Sequence, residues 1–391
     1  MTDSARLADV LAVLDELYDP RWAQEWDSVG LVVGNPDDLV RRVMFAVDPV
    51  MAVIEEAAAW EADLLVTHHP LLLRGVQSVA TTSSKGRAVT ALVRGGVALH
   101  VAHTNADVAD PGVSDALAGA LGLTELRPLR PSAPVDALDK VVTFVPHADA
   151  DRVIDALAAA GAGELGDYAR CAWTTQGVGT FLPLPGAQPA VGEVGTAERV
   201  EETRIEMVLR RDRRSAVIGA LKAAHPYEEP AYDVLELASV ESGRGLGRVG
   251  QLREPEKLDE FAARVARSLP ATAGPIRVAG DRDCPVRSVA VCGGAGDDLF
   301  GDVRASGADV FVTADLRHHP ASEAIEQGPP ALVDCAHWAT EWPWLADADR
   351  LLQDGLTRRG VTVQTRVSTL VTDPWTSTVS TTTTTDDRSQ R

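Results

Sequence analysis

The 391 residues carry 57 acidic against 37 basic side chains, a net charge of −20, and 45% of them are hydrophobic. This length and apolar content suit two or three globular domains, while the acidity argues against unassisted binding to nucleic acid or anionic membranes, which needs clustered lysine and arginine. No apolar run approaches the ~20 residues that cross a bilayer, no basic-then-apolar leader opens the chain, and the four cysteines are widely spaced without a CxxC pair, as in a reduced, cytoplasmic protein.

Leu7, Val10, Leu11, Leu14 and Leu17 recur at helical spacing, so residues 4–18 read as an amphipathic helix. Trp26 to Gly34 is a loop entering a short strand. Val43 to Val47 is an apolar strand ended by Asp48-Pro49, residues 50–60 are helical, and Asp63 to Thr67 is a second buried strand. Strand, helix and strand with short joints form a βαβ unit and predict a parallel sheet, where ligands gather at the carboxyl ends of strands. The middle of the chain differs. Strands at Val141 to Val145, near 168–175, at 202–209 and at Tyr232 to Leu237, with helices at 149–159 and 213–223, give a βαββαβ order, a split-βαβ or ferredoxin-like unit. Pro131 to Pro134 and Ser242 to Gly245 are its joints.

The early pattern then returns. Val289 to Cys292 reads as a strand, Gly293-Gly294-Ala295-Gly296 as a tight turn and 297–306 as a helix. Ala308-Asp309-Val310-Phe311-Val312-Thr313 then matches Ala62-Asp63-Leu64-Leu65-Val66-Thr67 almost position by position, which predicts two related halves facing one another. From Thr372 the chain is Ser/Thr-rich and reads as a disordered tail. The expected organisation is an α/β core in two halves, 1–131 and 243–371, an α+β insert at 132–242, and the tail 372–391.

Seven of the nine histidines fall in a few runs: His68-His69 after a strand, His100 and His103, His318-His319, and His337 after the apolar stretch Ala331 to Ala336. Imidazole with carboxylate and few cysteines is the ligand chemistry of zinc, iron, manganese or nickel. A strand's neighbouring side chains point to opposite faces, so His68 and His69 share a centre only if the strand ends there, as Pro70 indicates. Asp107, four residues after His103, can bridge two ions with its two oxygens; Asp110 is a rival but looks like a turn residue. His103 reads equally as a group that orients ligands or as a packed histidine, and His100 as a packed histidine. His337 and Glu341 have i, i+4 spacing, but Pro343 favours a helix starting near Thr340 with His337 in the preceding loop. His318 and His319 are orienting or substrate-contacting groups, and Asp315 belongs to the same stretch. Backbone N–H groups at Gly293 to Gly296 could cradle a phosphate, but Asp297 and Asp298 would repel it. More candidate ligands than one tetrahedral ion needs point to two ions per chain.

Taken together, Trp26 to Gly34, Asp63 to Pro70, His103 to Asp107, Thr313 to Pro320 and His337 to Glu341 resemble the GTP cyclohydrolase 1 type 2 homolog family of dinuclear-metal, hexameric, NIF-three-like proteins. Gly177-Val178-Gly179-Thr180-Phe181 and His225-Pro226-Tyr227-Glu228-Glu229-Pro230 resemble the PII/CutA-like insert of its longer members. The sequence departs from the family pattern at Ser28 and Ala314, neither a proposed ligand. The resemblance implies metal ligands at His68, His69, Asp107, His337 and Glu341, and a toroidal homohexamer whose sites face an internal cavity. It also implies a metal-dependent hydrolase acting through activated water on a nucleotide or other small molecule; the alternative is a non-catalytic metal-binding scaffold or regulatory partner. The sequence does not resolve the catalytic residues or the identity of the metal.

Overall fold

The computed structural model describes residues 5–132, 137–238 and 242–379. The chain divides into two compact units, Met1–Ser132 with Gly243–Arg391 and, between them in sequence, Ala133–Ser242. Both are mixed α/β.

The first unit contains two open sheets whose central strands run parallel. In the first, Gln364–Val367, Arg42–Ala46, Leu64–Thr67 and Ala98–Val101 lie parallel in that order, with Gly30–Val33 antiparallel at the edge. In the second, Pro285–Ala295, Val310–Ala314 and Ala331–Cys335 are parallel neighbours. Arg277–Ala279 flanks them on one side, and Gly245–Lys257 then Thr124–Pro131 on the other, all antiparallel. The central strands are buried on both faces, which is why they read as unbroken apolar runs. One large core joins the sheets through the helix Leu7–Leu17, the helix Leu258–Ser268 and the helix Trp344–Arg358.

The match between Ala62–Thr67 and Ala308–Thr313 extends into hydrogen bonding. The Asp63 carboxylate accepts from the backbone N–H groups of Arg41 and Arg42 at 2.7 and 2.9 Å; that of Asp309 accepts from Arg287 and Ser288 at 2.9 and 2.8 Å. Each aspartate holds the start of its own strand to the strand before it. Gly34 and Gly280, both at positive φ, approach Ala98 and Ala331; a Cβ on either would lie 2.7 or 2.8 Å from the alanine methyl. Leu7 and Leu258, each opening a helix, pack beside them.

Two expectations are corrected here. Residues 293–296 are not a free turn: the strand runs through to Ala295. The Gly294 N–H donates to the Thr340 hydroxyl, and the Thr313 hydroxyl donates to the Gly294 carbonyl, both at 2.9 Å. Side chains therefore satisfy a backbone that a diglycine would otherwise leave loose. The helix after Cys335 starts at His337, not Thr340. The Thr340 hydroxyl donates back to the His337 carbonyl at 2.7 Å rather than capping an N-terminus. Pro343 caps the next helix, Trp344–Arg358, where its missing N–H costs nothing.

In the second unit, Tyr232–Glu236, Leu138–Pro146, Glu198–Arg210 and Trp173–Phe181 form one antiparallel sheet in that order. The helices Ala150–Ala159 and Arg214–Ala224 contribute Val153, Leu157, Val217 and Leu221 to its core. The strand expected near 168–175 lies later, at Trp173–Phe181. Gly161, Gly163 and Gly166 at positive φ, with the Cys171 N–H bonded to the Gly163 carbonyl at 2.9 Å, turn the chain back before it can extend.

The residues 372–379, expected in the tail, are described: the Thr372 hydroxyl donates to Asp48, and the Thr378 hydroxyl to the Ala273 carbonyl. The rest of that tail, 380–391, lies outside the described residues. The cysteines are free thiols, and no helix among the described residues is long and apolar enough to cross a membrane.

Candidate metal centre

The carboxyl ends of five parallel strands, drawn from both sheets, each deliver a polar residue to one place. Arg42–Ala46 leads to Asp48, Leu64–Thr67 to His68 and His69, Ala98–Val101 to His103, Val310–Ala314 to Asp315, and Ala331–Cys335 to His337. Pleating would part His68 from His69, but the strand ends at Thr67 and the two rings lie 5.1 Å apart.

The four histidines share one arrangement. His68 Nδ1 bonds the Ala102 carbonyl at 2.9 Å, His69 Nδ1 bonds Asp48 at 2.7 Å, His103 Nδ1 bonds Asp27 at 2.9 Å and His337 Nδ1 bonds Asp315 at 2.7 Å. All four partners are acceptors, so each Nδ1 carries a proton, and Nε2 is the atom that holds a second proton or, once that proton is lost, offers its lone pair. Three of these Nε2 atoms surround Glu341, which is 3% exposed: His337 at 2.9 Å and His68 at 3.5 Å from Oε1, His69 at 3.2 Å from Oε2. Glu341 Oε2 has no well-formed hydrogen bond despite its burial. Asp107, on the short helix Thr104–Val108, places Oδ1 3.6 Å from His68 Nε2. Ligand atoms of His68, His69 and His103 lie within 4.8 Å of one another, and so do those of His69, His337 and Glu341.

The electrostatics follow from burying these groups together. Burial opposes charge on His69 but is outweighed by the Glu341 carboxylate beside it and by the hydrogen bond to Asp48, which push its pKa up to about 11. The same balance, with Asp315 in place of Asp48, pushes His337 up to about 10. Burial likewise opposes charge on His68, and Glu341 and Asp107 raise its pKa. Glu341 is buried too, yet the three imidazoles hold it well below the usual carboxylate range. Asp107 goes the other way, raised mainly by burial. Without metal this is a cluster of histidinium and carboxylate groups; a cation would take the protons' place.

Of the residues singled out from sequence, His68, His69, His337 and Glu341 are gathered here, Asp107 stands beside His68, and His103 is part of the cluster. His318 and His319 are exposed at the start of the helix His318–Glu326, their rings edge to face 5.1 Å apart. His100 is buried, its Nε2 3.9 Å from Asp15 and neither ring nitrogen hydrogen-bonded. Sequence reasoning missed the tethers Asp27 and Asp48. Asp48 read only as a turn residue, although it sits where a parallel strand ends beside the histidine pair.

A cleft of about 800 Å³ opens on the cluster, lined by His69, His103 and His337, by Lys85 and Arg277, and by Trp375.

The chain was compared with known proteins. A family model described as Duf34/NIF3 (NGG1p interacting factor 3) matches residues 5–374. A Mycobacterium tuberculosis protein named GTP cyclohydrolase 1 type 2 homolog is 51% identical over 372 residues, 95% of this chain and 97% of that one. Among solved structures, a Bacillus cereus protein related to NIF3 is similar with a TM-score of 0.68 at 36% identity, covering 95% of this chain and 99% of that one. A Staphylococcus aureus protein is similar with a TM-score of 0.75 at 27% identity, over 96% and 99%.

Proposed function

The chain belongs to the Duf34/NIF3 family, and from that premise we propose that it is a dinuclear metal protein, a hydrolase like the GTP cyclohydrolase 1 type 2 homologs by which its relatives are named. His68, His69, Asp107, His337 and Glu341 are the proposed ligands. The observation that carries this reading is the common orientation of the histidines: Nδ1 tied to a carbonyl or carboxylate, Nε2 turned to a buried glutamate. Ligating histidines are held in this way. Glu341 Oε2, buried without a well-formed hydrogen bond, fits a cation rather than a closed polar network. Nitrogen and oxygen donors without thiolate suit zinc, iron, manganese or nickel.

Two such ions, when bound, supply Lewis acidity and lower the pKa of water. The chain's own groups do the rest. Glu341 and Asp107 offset the positive charge. His103 is the proton-transfer group, because Asp27 fixes its ring through Nδ1 and leaves Nε2 free at the cleft. Burial works against a charged Asp27, but hydrogen bonds from His103 and Thr104 outweigh it and keep the carboxylate ionised. Lys85 on the cleft wall offers a cation to an anionic substrate such as a nucleotide, whereas Arg277 is already paired with Asp334. The second unit is taken as a ferredoxin-like, PII/CutA-like insert on its βαββαβ order, and the assembly as a homohexamer on the family resemblance.

The test is to load the protein with each metal, measure bound metal, and screen nucleotides, GTP first, beside His68→Ala and His103→Ala. Expected are about two ions per chain in wild type, turnover that needs them, loss of metal in His68→Ala, and loss of turnover with metal retained in His103→Ala. Full metal loading with no turnover of any nucleotide would turn the reading toward a scaffold.

A further inference from the structure

Two runs singled out in the middle of the sequence, Gly177 to Phe181 and His225 to Pro230, take no part in the metal centre. The fold brings both to one cleft of about 620 Å³ within the unit 133–242. Sites for small organic molecules occupy roughly 300–1,000 Å³. The walls are largely apolar, with the rings of Phe144, Phe181 and Tyr227 among them, Phe181 and Tyr227 5.8 Å apart.

One buried charge faces this apolar space. Glu202 is 9% exposed, and the Tyr227 hydroxyl donates to its Oε1 at 2.8 Å. Burial and the Glu202 carboxylate raise the phenol pKa, so Tyr227 stays a donor and Glu202 an acceptor. Glu202 Oε2 takes no hydrogen bond among the described residues. It lies across Gly179, where a Cβ would come within 2.1 Å of it. The glycine thus leaves room for the carboxylate on the cleft wall. Oε2 is therefore the acceptor that Glu202 leaves open to a ligand donor on the cleft wall. Glu228 and Glu229 line the same cleft, whereas Arg204, its one cation among the described residues, is already bonded to Glu206 at 2.9 Å.

We propose that this cleft binds an organic cation, a small molecule with an aromatic or apolar body carrying an ammonium or amidinium group. The N–H donors meet Glu202 in a charge-assisted hydrogen bond, the rings of Phe181 and Tyr227 add cation–π attraction, and the body covers the apolar walls. The site is separate from the metal centre and does not depend on its occupancy.

Benzamidine is the probe, titrated into the full-length protein and followed by calorimetry and saturation-transfer NMR, with benzoate as the matched anion. Expected is saturable binding of one benzamidine per chain, no competition from benzoate, and a loss of at least about tenfold in Glu202→Gln with metal content and Tm unchanged. Absence of saturable binding, benzoate binding as tightly, or wild-type affinity in Glu202→Gln would overturn the proposal. Should Glu202→Gln not fold, Phe181→Ala decides: weaker binding supports the site, and unchanged binding removes it.

Discussion

Glu341 lies within 3.5 Å of the Nε2 atoms of His68 and His69, which follow the strand Leu64–Thr67, and of His337, which opens Glu341's own helix. Changing it to glutamine keeps the volume but removes the charge and one of two acceptor oxygens. Glu341→Gln should therefore empty at least one metal position and leave the fold in place, checked by elemental analysis alongside Tm. Full occupancy with slight destabilisation would exclude Glu341 from the ligand set. A second expectation concerns protons. With pKa values raised to about 11 and 10, His69 and His337 are both charged at neutral pH in the metal-free protein. Their folded pKa values exceed the unfolded ~6.5, so the stability they contribute is fully present below that value and is lost as pH rises through 10 to 11. A cation must displace these protons, so metal affinity rises with pH over the same range. Calorimetry in two buffers of different ionisation heat should show release of at least two protons per chain, one from each histidine; heats independent of buffer would contradict it. The histidines and Glu341 were legible in sequence because those residue types seldom cluster without cause. Asp27 and Asp48 were not legible as tethers, because an aspartate in a loop beside a strand is equally an ordinary turn residue.

At the scale of elements, the strand Pro285–Ala295 shows how backbone geometry serves the centre. Gly294 has φ +68°, and a Cβ there would lie 2.6 Å from Glu341 Oε1 and 3.0 Å from His337 Nε2. The glycine run therefore serves close approach to side chains rather than phosphate binding. Gly294→Ala carries a backbone cost of about 1–2 kcal/mol and also pushes Glu341 and His337 off their positions. Metal content should fall much further than the small drop in Tm suggests; normal metal content would mean that the strand end yields easily. The apolar central strands were readable from sequence because burial on both faces leaves unbroken hydrophobic runs, whereas helices such as Ser84–Gly95 and Leu258–Ser268 were not marked. Thr124–Pro131, Gly245–Lys257 and Arg277–Ala279 were not, since their mixed polar pattern becomes a strand only through antiparallel partners far along the chain. The start of the helix His337–Glu341 was misread because Pro343 was assigned to it, when that proline caps the following helix.

For the whole molecule, the joints of the middle segment carry the strongest inference. Thr124–Pro131 and Gly245–Lys257 pair antiparallel with Pro131 opposite Gly245, and the Ser132 N–H bonds the Arg244 carbonyl at 3.0 Å. The chain thus leaves and re-enters the first unit at adjacent positions, so a short turn can close the gap without moving either strand. The joint is also anchored without help from the middle segment. Arg248, 1% exposed, donates to the carbonyls of Gly245, Gly247 and Ala109, and its Nε reaches Asp115 at 2.8 Å. Every proposed metal ligand lies outside 133–242. Replacing residues 133–242 by an Asn-Gly turn should therefore leave a protein that unfolds cooperatively and binds metal at wild-type stoichiometry, while benzamidine binding disappears with the cleft at Glu202. Differential scanning calorimetry with metal analysis checks the first part. Arg248→Met is the counterpart: it strands the Asp115 carboxylate and three carbonyls and should cost about 3–5 kcal/mol, the range for breaking a buried ion pair from one side. If the deletion loses its cooperative transition while Arg248→Met is tolerated, the middle segment supports the core fold directly and these joints are not its boundaries.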